Sequence, residues 1–214
     1  MNEKIIMEPD EEDFIFSEIE KRMNKSIRGL SKLYQASIDG GEPINFHKKC
    51  DNIPNTLVLI KSEGKRRFGG FTPIPWKSKG GFIEDKKNQT FVFSLDNKKI
   101  YNLISIYRKA VYHHEDYGPC FGFTDIEILG NPIEKYKLRS IPDGYDYNGD
   151  KYPLSESDDS YNDGFCGHHY GFGRSSCVLC TRLVRDAMGE FGCNYLRFNS
   201  IFLGGFSCYN DGWL

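Results

Sequence analysis

The chain has no apolar run approaching the roughly eighteen residues that a membrane-spanning helix needs. It also has no excess of either charge: 28 basic side chains stand against 30 acidic ones, for a net of −2. A near-neutral chain exerts no overall pull on nucleic acid, so any basic contact has to be local. Nor does it open on a secretory signal, because Met1 to Glu12 is acidic rather than basic and then apolar. The expected compartment is therefore the cytoplasm or the nucleus, where thiols stay reduced. The seven cysteines agree with this, since an odd count at irregular spacing does not read as a disulfide framework. On that reading the sequons at Asn24-Lys25-Ser26 and Asn88-Gln89-Thr90 are chance matches.

What the chain does have is aromatic bulk. Sixteen Phe and thirteen Tyr within 214 residues are ample to fill a core, which excludes a disordered chain. The length fits one domain, or one domain with an appendage. Residues 1–12 read as a frayed acidic tail. From Asp13, the residues Phe16, Ile19, Met23, Ile27, Leu30 and Tyr34 recur at the helical period, although Asn24 and Gly29 interrupt it. Asp39-Gly40-Gly41 is a stop signal, and Ile44 to Cys50 fits one or two further helical turns.

Strand signals dominate after that. Thr56 to Lys61 is a continuous aliphatic run suited to a buried strand, and a hairpin-length turn leads to its partner, Arg67 to Thr72. The glycines Gly69 and Gly70 sit inside that partner. Glycine weakens a strand interior, so their presence signals a bend or a neighbour too close for a Cβ. Pro73 to Asn88 is expected to be an exposed loop, with Trp76 folding back onto the core. Gln89 to Asp96 and Ile100 to Tyr107 form a second hairpin, Tyr117-Gly118-Pro119 reads as a turn, and Asp125 to Ile128 alternates as a half-buried strand does. Residues 131–175 show no sustained period. Cys177 to Glu190 carries a weak helical pattern, and Tyr195 to Leu203 reads as a last strand.

Together these elements predict a mainly β (α+β) fold: a two-sheet antiparallel β-sandwich flanked by a few short helices, with a loop-rich C-terminal segment. The expected division is an N-terminal tail and helix over residues 1–29, a sandwich core over 30–130, and a divergent Tyr-, Gly- and Cys-rich segment over 131–214. That last segment could complete the sandwich.

Few residues suggest chemistry. Cys166, His168, Cys177 and Cys180, with His169 and Cys193 nearby, could form a structural zinc site, because Cys-x-x-Cys offers two thiolates on one side of a tight turn. Such a zinc-stabilised module would bind a protein or a nucleic acid. The competing reading is a set of separate reduced thiols, since Val178 and Leu179 look like a buried face rather than a polar turn. A cysteine–histidine nucleophile draws no support from neighbours in sequence, because such partners normally lie far apart along the chain. His113-His114-Glu115-Asp116 reads as a solvated turn, although it offers possible metal ligands. Asp146-Tyr147-Asn148-Gly149 fails as a calcium loop, because Gly144 and Ser155 fall where carboxylates are required. Gly171-Phe172-Gly173 lacks the third glycine of a dinucleotide fingerprint. Lys61, Lys65, Arg66 and Arg67, with Lys77, Lys79, Lys86 and Lys87, give a basic edge that is either a solvated face or a seat for an acidic partner. No catalytic residue and no cofactor is predicted.

Six pieces in order carry a family resemblance. Leu33 to Ser37 with Asp39-Gly40 is similar to "LYrasrDG", Phe46 to Asp51 to "FHxKCD", and Thr56 to Lys61 to "TLxlIk". Phe68-Gly69-Gly70-Phe71-Thr72 with Pro75-Trp76 is similar to "FGGyT…pW", and Phe91 to Leu95, which includes Phe93, to "FlFSL". Tyr117-Gly118-Pro119-Cys120-Phe121-Gly122 with Asp125 to Ile128 is similar to "YGPxFGxghDixI". Over residues 30–130 the chain resembles a TLDc domain of the short protist type. Beyond that, Phe202 to Gly205 takes the place of the family's leucine-glycine-glycine stretch. The closing glutamate-containing strand has no counterpart before Leu214, which puts in doubt any function that depends on it. The resemblance implies a non-catalytic interaction domain, linked to oxidative-stress resistance and to binding and regulating the vacuolar proton-pumping ATPase. It brings no catalytic residues with it. It marks Asp39, Gly40, Phe68, Gly69, Gly70, Trp76, Phe93, Gly118, Pro119 and Gly122 as structural positions of the motif.

Overall fold

The computed structural model describes residues 7–62, 65–104, 109–122, 125–129, 137–140, 144–148, 150, 154 and 171–184. Helix α1 (Pro9–Met23) comes first, followed by strand β1 (Gly29–Gln35) and the short helices α2 (Ala36–Asp39) and α3 (Pro43–Cys50). Then come β2 (Thr56–Ser62), β3 (Arg67–Thr72), β4 (Lys79–Glu84), β5 (Phe91–Ser94), β6 (Lys99–Leu103), β7 (Lys109–His114), β8 (Tyr117–Phe121) and β9 (Ile126–Leu129). Strands β10 (Lys137–Ser140), β11 (Tyr145–Asp146) and β12 (Gly171–Val184) complete the order.

All strand pairs between these elements are antiparallel, and they build two sheets. One runs β11-β6-β5-β3-β2-β12, with β1 also on β12; the other runs β12-β10-β9-β8-β7-β4. Strand β12 belongs to both. Residues 171–174 pair with β10, while residues from Ser175 onward pair with β2 across a register irregularity between Ser175 and Cys177. A bulge of this kind is how a long strand bends from one sheet into the next. The expected two-sheet antiparallel architecture with few short helices is what the chain adopts.

The run Thr56–Ser62 is continuous rather than alternating because both of its faces are covered. Val58 and Ile60 enter the core between the sheets, together with Phe68, Val92, Tyr101, Val111, Phe121 and Ile126. Leu57 and Leu59 point the other way, onto a second core with Phe71, Phe91, Phe93, Leu179 and Leu183, closed by Met7, Ile15 and Ile19. Helix α1 is thus a lid on the outer face of the first sheet. Its apolar residues are fixed there by polar contacts at both ends. The Arg67 guanidinium donates to both oxygens of Glu11, at 2.9 and 2.7 Å, and to Asp96 at 3.3 Å. Arg22 donates to the Thr90 carbonyl and lies over the Phe91 ring, 4.6 Å from its centroid.

Several expectations need correction. The helix does not continue through Ile27, Leu30 and Tyr34; Asn24 at φ 50° closes it in the left-handed conformation, Ile27 lies in the connection that follows, and Leu30 and Tyr34 enter β1. Residues 9–12 are not a frayed tail. Pro9 starts the helix, Glu11 accepts the Glu8 N–H at 2.9 Å, and Glu11 and Glu12 are buried. The supposed loop 73–88 contains β4, and Tyr117 to Pro119 opens a strand rather than forming a turn. The helical pattern after Cys177 belongs, as far as Val184, to a strand, and residues 185–190 lie outside the described residues. Leu179 and Leu183 serve one core and Cys180 the other, and apolar residues on both faces of a strand imitate a helical stripe. Tyr195 to Leu203 lies outside the described residues.

The glycine pair answers to close packing on both faces. A Cβ on Gly70 would stand 2.6 Å from the Phe121 ring, and one on Gly69 would run into the Val58 carbonyl and stand 2.9 Å from Phe93 Cζ. Gly70→Ala is expected to lower stability in urea unfolding by about 1–3 kcal/mol. Phe121→Leu in the same chain should recover part of that loss, since the obstructing ring is then gone. Arg67→Ala leaves Glu11 buried without its partner and should cost about 2–3 kcal/mol by the same measurement.

Candidate functional site around Trp76

The densest gathering of polar and aromatic groups lies where α3 meets the β3–β4 connection. Pro43 opens α3 at a position where no N–H is needed, and the helical repeat then sets His47 and Asp51 one turn apart. His47 Nδ1 lies 2.7 Å from Asp51 Oδ1. Its Nε2 lies 3.0 Å from the carbonyl oxygen of His114 and 2.9 Å from that of Tyr117. Carbonyls only accept, so Nε2 carries a proton and ties α3 to the β7–β8 turn. The second oxygen of Asp51 accepts the Ser78 hydroxyl at 2.6 Å.

Trp76 lies beside this cluster and is almost wholly buried. Its indole N–H donates to Thr56 Oγ1 at 2.8 Å, and its carbonyl accepts the Asn52 N–H at 2.8 Å. Phe46 and Phe121 meet the ring edge-on at 5.6 and 5.5 Å, and His113 lies 6.0 Å away, tilted by 59°. Since Phe121 also rests on Gly70, the glycine strand and the tryptophan are linked through one ring.

In chemical terms this cluster binds segments together. A nucleophile needs a base with a free acceptor nitrogen within reach. Both nitrogens of His47 are engaged with oxygens, and the Ser78 hydroxyl points at a carboxylate rather than at an imidazole. Asp125 has a similar structural use. It is fully buried, accepts the backbone N–H groups of Gly144 and Tyr145 at 2.8 and 3.2 Å, and fixes β11 against β6. Burial, with the Asp125 charge nearby, pushes the Tyr145 phenol well above its usual range, and its hydroxyl donates to the Ala110 carbonyl at 2.7 Å.

The motif residues are dispersed along the fold. Asp39 accepts the Gln35 N–H at 2.8 Å and pairs with Lys49, and the Gly40 carbonyl accepts the Tyr34 hydroxyl. Phe68 and Trp76 line the core between the sheets, whereas Phe93 lines the core beneath α1. Gly118 and Pro119 are buried in β8, where a Cβ on Gly118 would stand 3.3 Å from Ile128. Gly122 takes φ 61° and leaves no space for a Cβ beside Asp125. They are spread over both cores, β8 and the α2–α3 region.

Cys166 and His168 of the supposed zinc set lie outside the described residues, as do His169 and Cys193. Cys177 and Cys180 sit in β12, three extended residues and so about 10 Å apart along the backbone, rather than on a tight turn. Cys180 lies instead beside Cys50 of α3. That contact, together with burial, drives the Cys50 thiol far above its ordinary range. Among the described residues no group of three His, Cys, Asp or Glu side chains is arranged to hold a metal. The expected solvated turn at 113–116 is also corrected, since His113 belongs to β7 and is buried. Arg67 of the basic edge belongs to the α1 clamp.

Sequence reasoning overlooked the His47–Asp51 contact, although the four-residue spacing on a short helix was its signal. His47→Leu would strand two carbonyls and a carboxylate and should cost about 2–4 kcal/mol in chemical unfolding. A comparable loss is expected for Asp85→Ala, whose carboxylate accepts Gln89 N–H, Thr90 N–H and Thr90 Oγ1–H at 2.8, 2.6 and 2.7 Å.

The family model for the TLDc domain matches residues 1–176. The match extends beyond the 30–130 stretch in both directions, taking in α1 and the first part of β12. No curated protein matches the chain. With most of its 214 residues inside that match, the chain belongs to the TLDc domain family.

Proposed function

We propose that this chain is an interaction module that acts by presenting its surface to a protein partner rather than by catalysis. The observation that carries the reading is the TLDc match over residues 1–176. The use of His47, Asp51 and Ser78 as cross-links supports it. By family, the proposed partner is the vacuolar proton-pumping ATPase, and the proposed setting is resistance to oxidative stress inside the cell. No helix among the described residues is long and apolar enough to cross a membrane, so the chain would meet that enzyme from outside the bilayer.

Two side chains are natural probes of such a surface. Ile38 and Ile44 are 61 % and 52 % exposed and flank the Gly40-Gly41 turn between α2 and α3. Two exposed apolar side chains on either side of one turn are candidates for part of such a contact patch. The test is co-purification of the ATPase peripheral-stalk subunits with the tagged chain from cell extract. Enrichment is expected, with a loss of at least severalfold in Ile38→Asp/Ile44→Asp while the unfolding midpoint stays within about 0.5 kcal/mol of the parent. No enrichment, where another TLDc protein enriches the same subunits, overturns the choice of partner.

A further inference from the structure

Unlike His47, His113 has no hydrogen-bond partner for either ring nitrogen among the described residues, although it is only 3 % exposed. What covers it is β4. Gly81 stands opposite His113 in the β4–β7 ladder, and a Cβ on Gly80 would lie 3.5 Å from His113 Nδ1. Both glycines have positive φ, 148° and 65°, so the cover over the imidazole is bare backbone. On its inner side the ring meets Trp76.

Strand β4 is an edge strand of the second sheet. It ends the strand path, pairs only with β7 among the described residues, and its register is irregular between Lys79 and Gly81 and again between Ile83 and Glu84. Its side chains are exposed or half-buried throughout. We propose that β4 is an acid-releasable strap, closed over His113 at neutral pH and lifted when that imidazole takes up a proton.

The charged and titratable groups around the ring are few. Asp51 at the end of α3, His47 within α3, and Lys77 in the β3–β4 connection face it. From β4 only glycine stands opposite, while Lys79 and Glu84 are exposed and Lys79 pairs with Glu115 at 3.5 Å. Both oxygens of Asp51 are already committed, one to His47 and one to Ser78, so it does not offer the new imidazolium a bond. Burial is the largest influence on His113 and outweighs the pull of Asp51, with Lys77 and His47 adding to it, so the closed-state pKa falls to about 4 from 6.5.

A depressed pKa of this sign favours the closed form above 6.5, and the advantage is lost as pH falls toward 4. With the imidazole rehydrated in the lifted form, the opening equilibrium rises about twentyfold between pH 7 and pH 5.

Hydrogen exchange followed by NMR on the full chain tests this, with each rate divided by its intrinsic value at the same pH. The amides of Gly81, Phe82 and Ile83 are expected to lose about twentyfold of protection from pH 7 to pH 5 while those of β2 hold theirs. In His113→Phe, which keeps a ring against Trp76, the pH dependence of β4 should vanish. The wild-type arm stands alone if that variant fails to fold, and is joined by a ring titration of His113, expected near 4. The proposal is overturned by flat β4 protection, by β2 opening in parallel, by an unchanged pH dependence in His113→Phe, or by a native His113 that titrates near 6.5.

Discussion

The middle strands of the first sheet are apolar on both faces, and each face needs its own cover. Most of the molecule follows from that demand. Val58, Ile60 and Phe68 require the second sheet, and Leu57, Leu59 and Phe71 require α1. A sheet packed on both sides has little room where neighbours come closest, and Gly69 and Gly70 mark those places, one toward Phe93 and one toward Phe121. Arg67, on the same strand, then reaches outward to hold the helix through Glu11. Burial works against that guanidinium's charge, and the Glu11 and Asp96 carboxylates more than offset it, so its pKa is raised. One six-residue strand therefore positions both layers above and below it.

The double burial also decides what could be read in advance. A run such as Thr56–Ser62, apolar at nearly every position, reads as a buried strand without any knowledge of its partners. The motif around Phe68 and Trp76 likewise points to the sandwich. Strand β12 was misread for the same physical reason that β2 was clear. Leu179, Cys180 and Leu183 divide between two cores, and their three- and four-residue spacing is indistinguishable from a helix face until the partners are known. Strand β4 was missed because Gly80, Gly81 and two nearby prolines are loop signals, and at a sheet end those residues are tolerated in a strand. The end of α1 was visible in Asn24 and Gly29. The periodicity through Leu30 and Tyr34 obscured it, because β1 also carries apolar residues four apart.

The candidate site was legible in composition and illegible in role. Phe46 to Asp51 belongs to a recognisable motif, but nothing in the letters says that His47 spans to the carbonyls of residues 114 and 117, some seventy positions away. His113 looked like part of a charged turn because His114, Glu115 and Asp116 follow it. Only the alternation of β7, which turns Val111 and His113 inward and leaves Tyr112 and His114 half-exposed, separates it from them.

The contrast between the two histidines shows how the domain spends its polar residues. His47 is half of an ion-pair geometry with three oxygen neighbours, and it joins a helix to a turn. Asp125 is surrounded by backbone N–H groups, Asp85 organises a loop, and Trp76 reaches Thr56. Each replaces water lost on burial with a bond to another segment, so each stabilises the folded arrangement. His113 departs from that rule, and it does so beneath an edge strand that pairs on one side only among the described residues. A buried imidazole left unbonded costs stability, and such a cost is retained most readily where opening has a use.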